Sequence, residues 1–544
     1  MSRLAASILG VLVLISSVAS VAARSDIRAE RAARSAADPA GRWIVVLNPG
    51  TDVDATAGRQ TRRFGFATDG TYRTLVRGYS ARLSATQVRS LQGDSAVEAV
   101  VPDERIEMEA QTMPTGISRI GAIGSATAKI DGADDRVDAD VAVVDTGVAK
   151  IAELNVAGGY NCSTSNHGAW RDVQGHGTHV AGTIGAIDNG SGVVGVAPGV
   201  RIWAVKILDD GGMGLLSWYI CGLDWIAAQK DPNDPTRPLI EAVNMSVAKD
   251  GSDDRNCGAT NNDLLHAAIC RLVAKKVTVA AAAANDSQNA ATRVPAAYDE
   301  VITVSALADT DGLPGGLGGN RCLSWGGYDV DDTFANFSNY GRDVDVIAPG
   351  KCIWSTVPGG YKYMSGTSMA TPHVTGAIAL LKATRPYLSP AEVKEALLYL
   401  GTMDWRTNTD PDPWHEKLLD VSRIGPRGDF AITAGEPAVV TQAGGTASIP
   451  ITVLRTETLF ERINLRVDRL PGATTATFSP ASLYGFDAMD SQLVVNVPAG
   501  TPAGTYEIRI SATEHNRVHA TTATIVVGGS SFTSGAPGRV FRRS

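Results

Sequence analysis

The sequence predicts an α/β protein: a mostly parallel sheet covered by helices, preceded by a small α+β unit and followed by an all-β sandwich. Three observations carry this. From about residue 110 to 425, apolar runs of strand length alternate with helical patterns, as a parallel sheet covered on both faces requires. After Gly425 the helical pattern stops, and apolar residues alternate with polar ones, the mark of half-buried antiparallel strands. Residues 42–108 carry strand and helix signals of their own and no cysteine. At 544 residues the chain has room for two or three domains, each with a core.

Arg3 precedes an apolar run from Ile8 to Ile15 and then Val21-Ala22-Ala23, so residues 1–23 read as a secretory signal peptide. Residues 24–41 are rich in Ala, Arg and Asp and read as a loose leader. Trp43–Leu47 and Val97–Val101 are strand patterns. Ser84-Ala85-Thr86-Gln87 is a capping box that opens a short helix burying Val88 and Leu91. Arg105–Gln111 is polar and reads as extended.

The central region places Val141–Val144 before Asp145-Thr146-Gly147, Arg201–Leu208 before Asp209-Asp210-Gly211-Gly212, and Val277–Ala284 before Asn285-Asp286. Val301–Val304 and Val344–Ile347 are further strands. Ser389-Pro390-Ala391-Glu392 is a second capping box, with proline at the first helical position. Ligands and chemistry gather at the carboxyl ends of strands in such sheets, which is where Asp145 and Asn285 fall. Over 429–528, about eight short alternating strands separated by turns such as Gly444-Gly445 and Pro471-Gly472 read as a sandwich. Residues 529–544 read as a disordered tail.

A formal net charge of −8, spread along the chain, gives no case for nucleic acid. The basic cluster Arg539, Arg542 and Arg543 sits in a Gly/Ser-rich stretch and reads as solvated. No segment is long and apolar enough for a membrane span. All six cysteines fall between Cys162 and Cys352, which in an exported chain argues for disulfides. Composition leaves all of the roughly fifteen pairings open.

The chemistry centres on Gly366-Thr367-Ser368-Met369-Ala370-Thr371-Pro372-His373. Pro372 cannot donate to the carbonyl of Ser368, so it belongs in the first turn of a helix. Ser368 then starts that helix, where free N–H groups and the dipole favour an anion. Gly175-His176-Gly177-Thr178-His179 opens a small-residue helix. A nucleophilic serine needs a base, a carboxylate to hold the base, and donors for the oxyanion. Ser368, His176 and Asp145 fit those roles, with Asn285 and the Ser368 backbone N–H as oxyanion donors. Taken singly, Asp145 also fits a cap or turn, Asn285 a turn, and His176 with His179 a metal pair lacking a third ligand. Taken together they follow the Asp, His, Ser order of one triad class. Ala370 stands where a Gly-x-Ser-x-Gly elbow needs its second glycine.

Val143-Val144-Asp145-Thr146-Gly147, His176-Gly177-Thr178-His179-Val180-Ala181-Gly182 and Gly366–His373 resemble the three signatures of subtilisin-like serine proteases. The cysteines and Phe337-Ser338-Asn339-Tyr340-Gly341 resemble the proteinase K branch. The resemblance implies a secreted, monomeric serine endopeptidase that needs no catalytic cofactor and cleaves proteins or peptides broadly. Its domains would be an inhibitory propeptide over 24–110, a catalytic domain over 111–425 and an immunoglobulin-like sandwich over 429–528. A second reading is a catalytically weak scaffold whose sandwich binds a surface or polysaccharide.

Further expectations rest on the same resemblance. Substrate would lie as a strand between Gly212-Met213-Gly214 and Ser246-Val247-Ala248. Ala248 and Ala284 replace glycines usual in the family, which implies a narrowed specificity pocket. Asp345, with the carbonyls of Asp299 and Val301, matches a family calcium site. The cysteines would pair in chain order: Cys162–Cys221, Cys257–Cys270 and Cys322–Cys352. Self-cleavage is expected after Ala110, the smallest residue at the junction, with Glu109 as the alternative.

Overall fold

The computed structural model describes residues 41–103, 111–319, 330–436, 438–440, 443–456, 458–470, 472–486 and 490–528. The signal peptide, the leader up to residue 40, the junction at 107–110, Cys322 and the 529–544 tail lie outside the described residues. The chain divides into two compact units, Met1–Glu109 and Ala110–Ser544.

In the first unit, β1 (Arg42–Leu47), α1 (Val53–Phe64), β2 (Thr68–Tyr72), β3 (Gly78–Arg82), α2 (Ala85–Gln92) and β4 (Val97–Pro102) follow in order. The antiparallel sheet runs β2-β3-β1-β4. Ser84 and Gln87 form the expected reciprocal capping box. The β2–β3 hairpin and α1 were not expected, because the face α1 buries mixes Val53 and Ala57 with the polar Thr56 and Gln60. Gln60 Oε1 accepts a buried hydrogen bond from the Tyr79 hydroxyl at 2.7 Å, which pairs the oxygen of its side chain inside the core.

The second unit is built on β5 (Asp140–Asp145), β6 (Val156–Asn161), α3 (His176–Gly185), β7 (Arg201–Lys206), α4 (Leu216–Ala228), β8 (Ala242–Met245), α5 (Leu264–Ala274), β9 (Thr278–Ala282), β10 (Ile302–Ala308), β11 (Val346–Pro349), α6 (Thr367–Thr384), α7 (Pro390–Leu400) and β12 (Lys417–Leu418). Its sheet order is β12-β11-β10-β9-β8-β5-β7-β6, and Thr333–Phe334 pairs antiparallel on β10. All other pairs are parallel. Every residue of β5 is buried, as expected for a strand covered on both faces. The chain leaves β5 for β6 at one edge and later resumes on its other side at β8. Connections therefore diverge at the carboxyl end of β5, the usual place for a site in an open α/β sheet.

α6 is buried along almost its whole length and packs on α3 and on β8, β9, β10 and β11. Its N-terminus corrects one expectation. The helix starts at Thr367, so Pro372 lies beyond the first turn. The proline leaves the Ser368 carbonyl without its helical donor. The Ser246 hydroxyl donates to that carbonyl instead, at 2.9 Å.

Beyond Gly425, β13 (Phe430–Ala434), β14 (Ala438–Val440), β15 (Thr446–Arg455), β16 (Ile463–Arg469), β17 (Thr475–Ser479), β18 (Ser482–Leu483), β19 (Asp490–Asn496), β20 (Gly504–Glu514) and β21 (Arg517–Val527) form two sheets. One runs β13-β15-β19-β17 and the other β14-β21-β20-β16-β18. Ile449, Ile451, Leu493, Ile508, Ile510 and Ile525 fill the space between them. Among the described residues, no helix is long and apolar enough to cross a membrane.

The sandwich shares a core with the α/β layer. Phe460 and Phe486 belong to the same buried cluster as Leu388 and Leu397. Arg385, at the C-cap of α6, is fully buried there. Its guanidinium pairs with Glu461 and donates to the carbonyls of Gly425 at 2.9 Å and Thr458 at 2.7 Å. Removing one partner of a buried pair leaves the other charge uncompensated, at a cost of about 3–5 kcal/mol. Arg385→Ala is therefore expected to lower the unfolding free energy by that order in a urea titration, and an unchanged midpoint would deny the pair any structural weight.

Candidate active site

The four residues expected to carry chemistry arise from four separate elements. Asp145 is the last residue of β5, His176 the first of α3, and Ser368 the second of α6, while Asn285 follows β9. The Asp145 side chain is fully buried, so its carboxylate needs donors. The Thr146 amide supplies one at 2.7 Å. His176 Nδ1 lies 2.8 and 2.9 Å from the two carboxylate oxygens. Burial pulls the His176 imidazole down, but the charge and hydrogen bond of Asp145 outweigh it, leaving its pKa above the usual 6.5.

Close backbone approach explains the glycines around His176. A Cβ on Gly177 would come within 2.1 Å of the Gly147 carbonyl, and one on Gly182 within 2.3 Å of the Thr356 hydroxyl. Asp172, which the sequence reading did not single out, organises this turn. It accepts from the Thr146 hydroxyl at 2.9 Å, the Gly175 amide at 2.9 Å and the Thr178 amide at 2.9 Å. Its only sequence signal is a carboxylate just ahead of the Gly175-His176 turn. His179 is no metal partner for His176. Its Nε2 meets the carbonyls of Ile353 at 2.9 Å and Lys362 at 3.0 Å, and burial pushes its pKa down to about 4.

Asn285 is oriented through its carbonyl oxygen, which accepts from the Thr367 amide at 2.8 Å and the Thr367 hydroxyl at 3.1 Å. Its amide NH₂ is thereby turned away from Thr367. The loop beneath it is strained: Ala284 has φ +77°, a region that disfavours a Cβ. Asn339 holds this loop, accepting from the Asp286 amide at 2.9 Å and the Gln288 amide at 3.2 Å. The signal for Asn339 was present in the Phe337–Gly341 motif. Ser368 Oγ donates to the Ser246 carbonyl at 3.3 Å. Asn244 steadies Ser246 at 2.8 Å and is itself held by Thr375 at 2.9 Å.

The two expected substrate segments differ in exposure. Met213 is 71% exposed, and the turn around it is tied by the Asp209 amide to the Met213 carbonyl at 2.8 Å. Gly212 has φ +79°, and Gly214 packs against the Ile207 carbonyl. Ser246 is buried, Val247 half-buried and Ala248 exposed. Ala284 is buried.

Cys162–Cys221 and Cys257–Cys270 form as expected. Cys352 is disulfide-bonded, and its expected partner Cys322 lies outside the described residues.

The calcium expectation at Asp345, Asp299 and Val301 meets a correction. The oxygens converge, but on the Lys394 ammonium: Nζ lies 2.8 Å from Asp345 Oδ2, 2.9 Å from the Val301 carbonyl and 3.4 Å from the Asp299 carbonyl. Burial raises the Asp345 carboxyl, and the Lys394 charge opposes that rise. A tethered cation already supplies the positive charge, so the donor set does not fit a metal. The lysine, on α7, is far away in sequence and leaves no local signal beside Asp345.

An α/β fold that sets a buried Asp–His pair and a helix-start serine at the ends of a parallel sheet is of the serine-hydrolase class. Compared with known proteins, residues 138–402 match the Subtilase family and residues 44–109 match Peptidase inhibitor I9. Subtilisin NAT of Bacillus subtilis subsp. natto is 34% identical over 335 residues, 60% of this chain and 77% of that protein. Subtilisin of Bacillus pumilus is 35% identical over 302 residues, 54% of this chain and 94% of that protein. Among solved structures, a cold adapted subtilisin-like serine proteinase aligns at 29% identity and a TM-score of 0.43, over 57% of this chain and 99% of that chain. The chain belongs to the subtilase family: it is a serine endopeptidase that carries an I9 inhibitory propeptide.

The lysine-for-metal exchange is directly testable. Calorimetric titration of Lys394→Ala is expected to show one more bound calcium ion than the parent, because the cradle of Asp345, Asp299 and Val301 regains a cation. Equal stoichiometry in the two proteins would show that these oxygens cannot hold a metal.

Proposed function

We propose that the chain is a secreted, monomeric endopeptidase that hydrolyses peptide bonds with a Ser368, His176, Asp145 triad and matures by cutting itself. The observation that carries the reading is the bond of His176 Nδ1 to the buried Asp145 carboxylate. It fixes the tautomer and leaves Nε2 for the serine proton. Ser368 Oγ attacks the carbonyl carbon as His176 takes its proton, His176 gives that proton to the amine as the C–N bond breaks, and a water deprotonated by His176 then releases the acyl group and restores Ser368. The developing oxyanion is met by the Asn285 NH₂ and the Ser368 N–H, donors already oriented before reaction. The resting hydroxyl donates to Ser246, so the attacking rotamer is reached as substrate enters; such loosening is common in free enzymes.

Substrate adds as a strand between 212–214 and 246–248, where backbone bonds give affinity with little sequence reading. The domain limits proposed are 24–110 for the propeptide, 111–425 for the catalytic part and 429–528 for the sandwich. Support for maturation at Ala110 comes from the anchoring just after it. The Gln111 amide bonds the Gly190 carbonyl at 3.1 Å, and its side chain bonds the Ile187 carbonyl at 2.8 Å and the Val193 carbonyl at 3.0 Å. A scaffold without chemistry is not favoured, since it would need no buried Asp–His pair.

Ser368→Ala decides the core of the proposal. The purified variant is expected to have no peptidase activity and to keep its propeptide, whereas the parent yields a chain beginning at Gln111 on N-terminal sequencing. Processing of the variant in protease-free material would exclude self-maturation.

The pH dependence follows from the imidazole. Its pKa lies above 6.5, and only the neutral ring accepts a proton. The acid limb of kcat/KM for an uncharged peptide is therefore expected above that value, with activity falling as pH drops through it. A limb below 6.5 would contradict the assignment.

For specificity, Ala248→Gly combined with Ala284→Gly removes two methyls from the proposed pocket. The ratio of kcat/KM for phenylalanine over alanine before the cut is expected to rise by about tenfold or more. An unchanged ratio would place both alanines outside the pocket.

A further inference from the structure

The loop that follows the proposed substrate segment 246–248 carries two adjacent aspartates, Asp253 and Asp254, and returns to α5, where His266 lies in the first turn. One donor atom from each of these three residues lies within 4.8 Å of the other two. The His266 side chain has no solvent exposure, while those of Asp253 and Asp254 keep 11% and 6%. His266 Nδ1 stands 3.1 Å from Asp254 Oδ1 and 3.5 Å from Asp253 Oδ1. Neither oxygen lies in line with the ring nitrogen, so among the described residues Nδ1 is buried without a hydrogen-bond partner. On the far side of the ring, Nε2 lies 2.9 Å from Glu300 Oε2. Among the described residues, Asp253, Asp254 and Glu300 form ion pairs with His266 and with no lysine or arginine.

A neutral imidazole that donates from Nε2 to Glu300 carries a lone pair on Nδ1. That lone pair faces two carboxylate oxygens, and acceptors buried together need a cation between them. A proton on Nδ1 serves poorly, because its bond would point at neither oxygen. A metal ion does not need its ligands collinear. Neighbouring ligands of a tetrahedral zinc stand roughly 3.3 Å apart, close to the 3.1 and 3.5 Å found here. One nitrogen with two carboxylates suits zinc, whereas calcium takes oxygen ligands. The carboxylate behind the ring is the partner a metal-bound histidine normally has, since it fixes the tautomer and the ring direction. The donors are also held in place by the protein. Asp254 Oδ1 accepts from the Asn256 amide at 3.0 Å and the Gly258 amide at 2.9 Å, and Asp253 Oδ1 from the Arg255 amide at 2.6 Å. Tyr298 stacks on the imidazole with ring centroids 4.0 Å apart, and the Cys257–Cys270 disulfide clips the loop to α5. The two sulfurs also lie near His266 and Glu300, but the disulfide withholds them as ligands.

We propose that Asp253, Asp254 and His266 form a zinc-binding site, with Glu300 as the carboxylate that orients the histidine. Nδ1 and one oxygen of each aspartate supply three ligands, and water at the partly exposed edge completes the tetrahedron. The ion ties the loop after the proposed substrate segment to α5 and to the turn that carries Tyr298 and Glu300. It acts on stability, since the site shares no residue with the proposed triad, oxyanion donors or substrate segments.

The test uses the full chain carrying Ser368→Ala to prevent autolysis, kept oxidised and alkylated so that no free thiol binds metal. It is stripped with chelator, then titrated with zinc chloride by calorimetry and with cobalt(II) chloride by visible absorption. The same chain with His266→Gln, or with Asp253→Asn, is measured beside it. The parent is expected to bind one more zinc ion than His266→Gln, and to bind it at least about tenfold more tightly than Asp253→Asn. The visible band of four-coordinate cobalt is expected in the parent and lost in His266→Gln, and zinc is expected to raise the Tm of the parent more than that of either variant. Equal zinc stoichiometry and affinity in all three chains would overturn the site. So would a parent that binds no zinc, which would identify an imidazolium shared among the three carboxylates. Zinc binding that appears only after the disulfides are reduced would also overturn it, by placing the ion on Cys257 and Cys270. If His266→Gln does not fold, Asp253→Asn decides by zinc affinity and the cobalt band.

Discussion

The burial of the Asp145 carboxylate is the constraint on which the rest of the catalytic unit depends. A carboxylate placed at the end of an all-buried strand is costly unless donors meet it, and here the Thr146 amide and the His176 ring do so. Bringing the ring there requires the N-terminus of α3 to lie against the end of β5. That approach admits no Cβ at Gly177 and needs a tight turn, which Asp172 holds by accepting from four backbone or hydroxyl groups around it. The position of the imidazole, and its raised pKa, follow from how one buried charge is satisfied.

A second set of contacts joins the serine to the same frame. Pro372 interrupts the hydrogen-bond ladder of α6 one turn past Ser368, and the freed carbonyl is taken up by Ser246. The Ser368 hydroxyl in turn rests on the Ser246 carbonyl. One residue after the end of β8 thus touches both the backbone and the side chain at the start of α6. Asn285 reaches Thr367 from a third element. A defect in helix geometry becomes an attachment point, because a helix interior without proline would offer no free carbonyl there.

Charge is also used structurally at a distance from this site. Lys394 stands among the oxygens of Asp345, Asp299 and Val301, where the sequence resemblance implied calcium, and Arg385 fixes the end of α6 to the sandwich. A lysine delivers one charge on a flexible stem, and a guanidinium adds a fork of donors that satisfies several carbonyls at once. The sandwich is accordingly part of one compact body with the α/β layer, since Arg385, Phe460 and Phe486 are buried between the two.

The sequence by itself determined the fold class and the positions of the proposed catalytic residues, for local reasons. Apolar runs at strand length read as a covered parallel sheet, strict alternation after Gly425 read as a sandwich, and the capping boxes at Ser84 and Ser389 formed as read. Asp145, His176, Asn285 and Ser368 were legible because glycines and small residues crowd around them at short range. What only the tertiary structure decided were pairings between residues far apart in the chain. Gln60 with Tyr79, Arg385 with Glu461, Lys394 with Asp345 and Ser246 with Ser368 leave no local pattern, so α1, the sandwich joint, the lysine among the Asp345 oxygens and the place of Pro372 in α6 could not be read. The physical reason is the same in each case. A polar group buried by tertiary packing must find its partner wherever the fold brings one, and a sequence read along its length records neighbours in the chain, not neighbours in space.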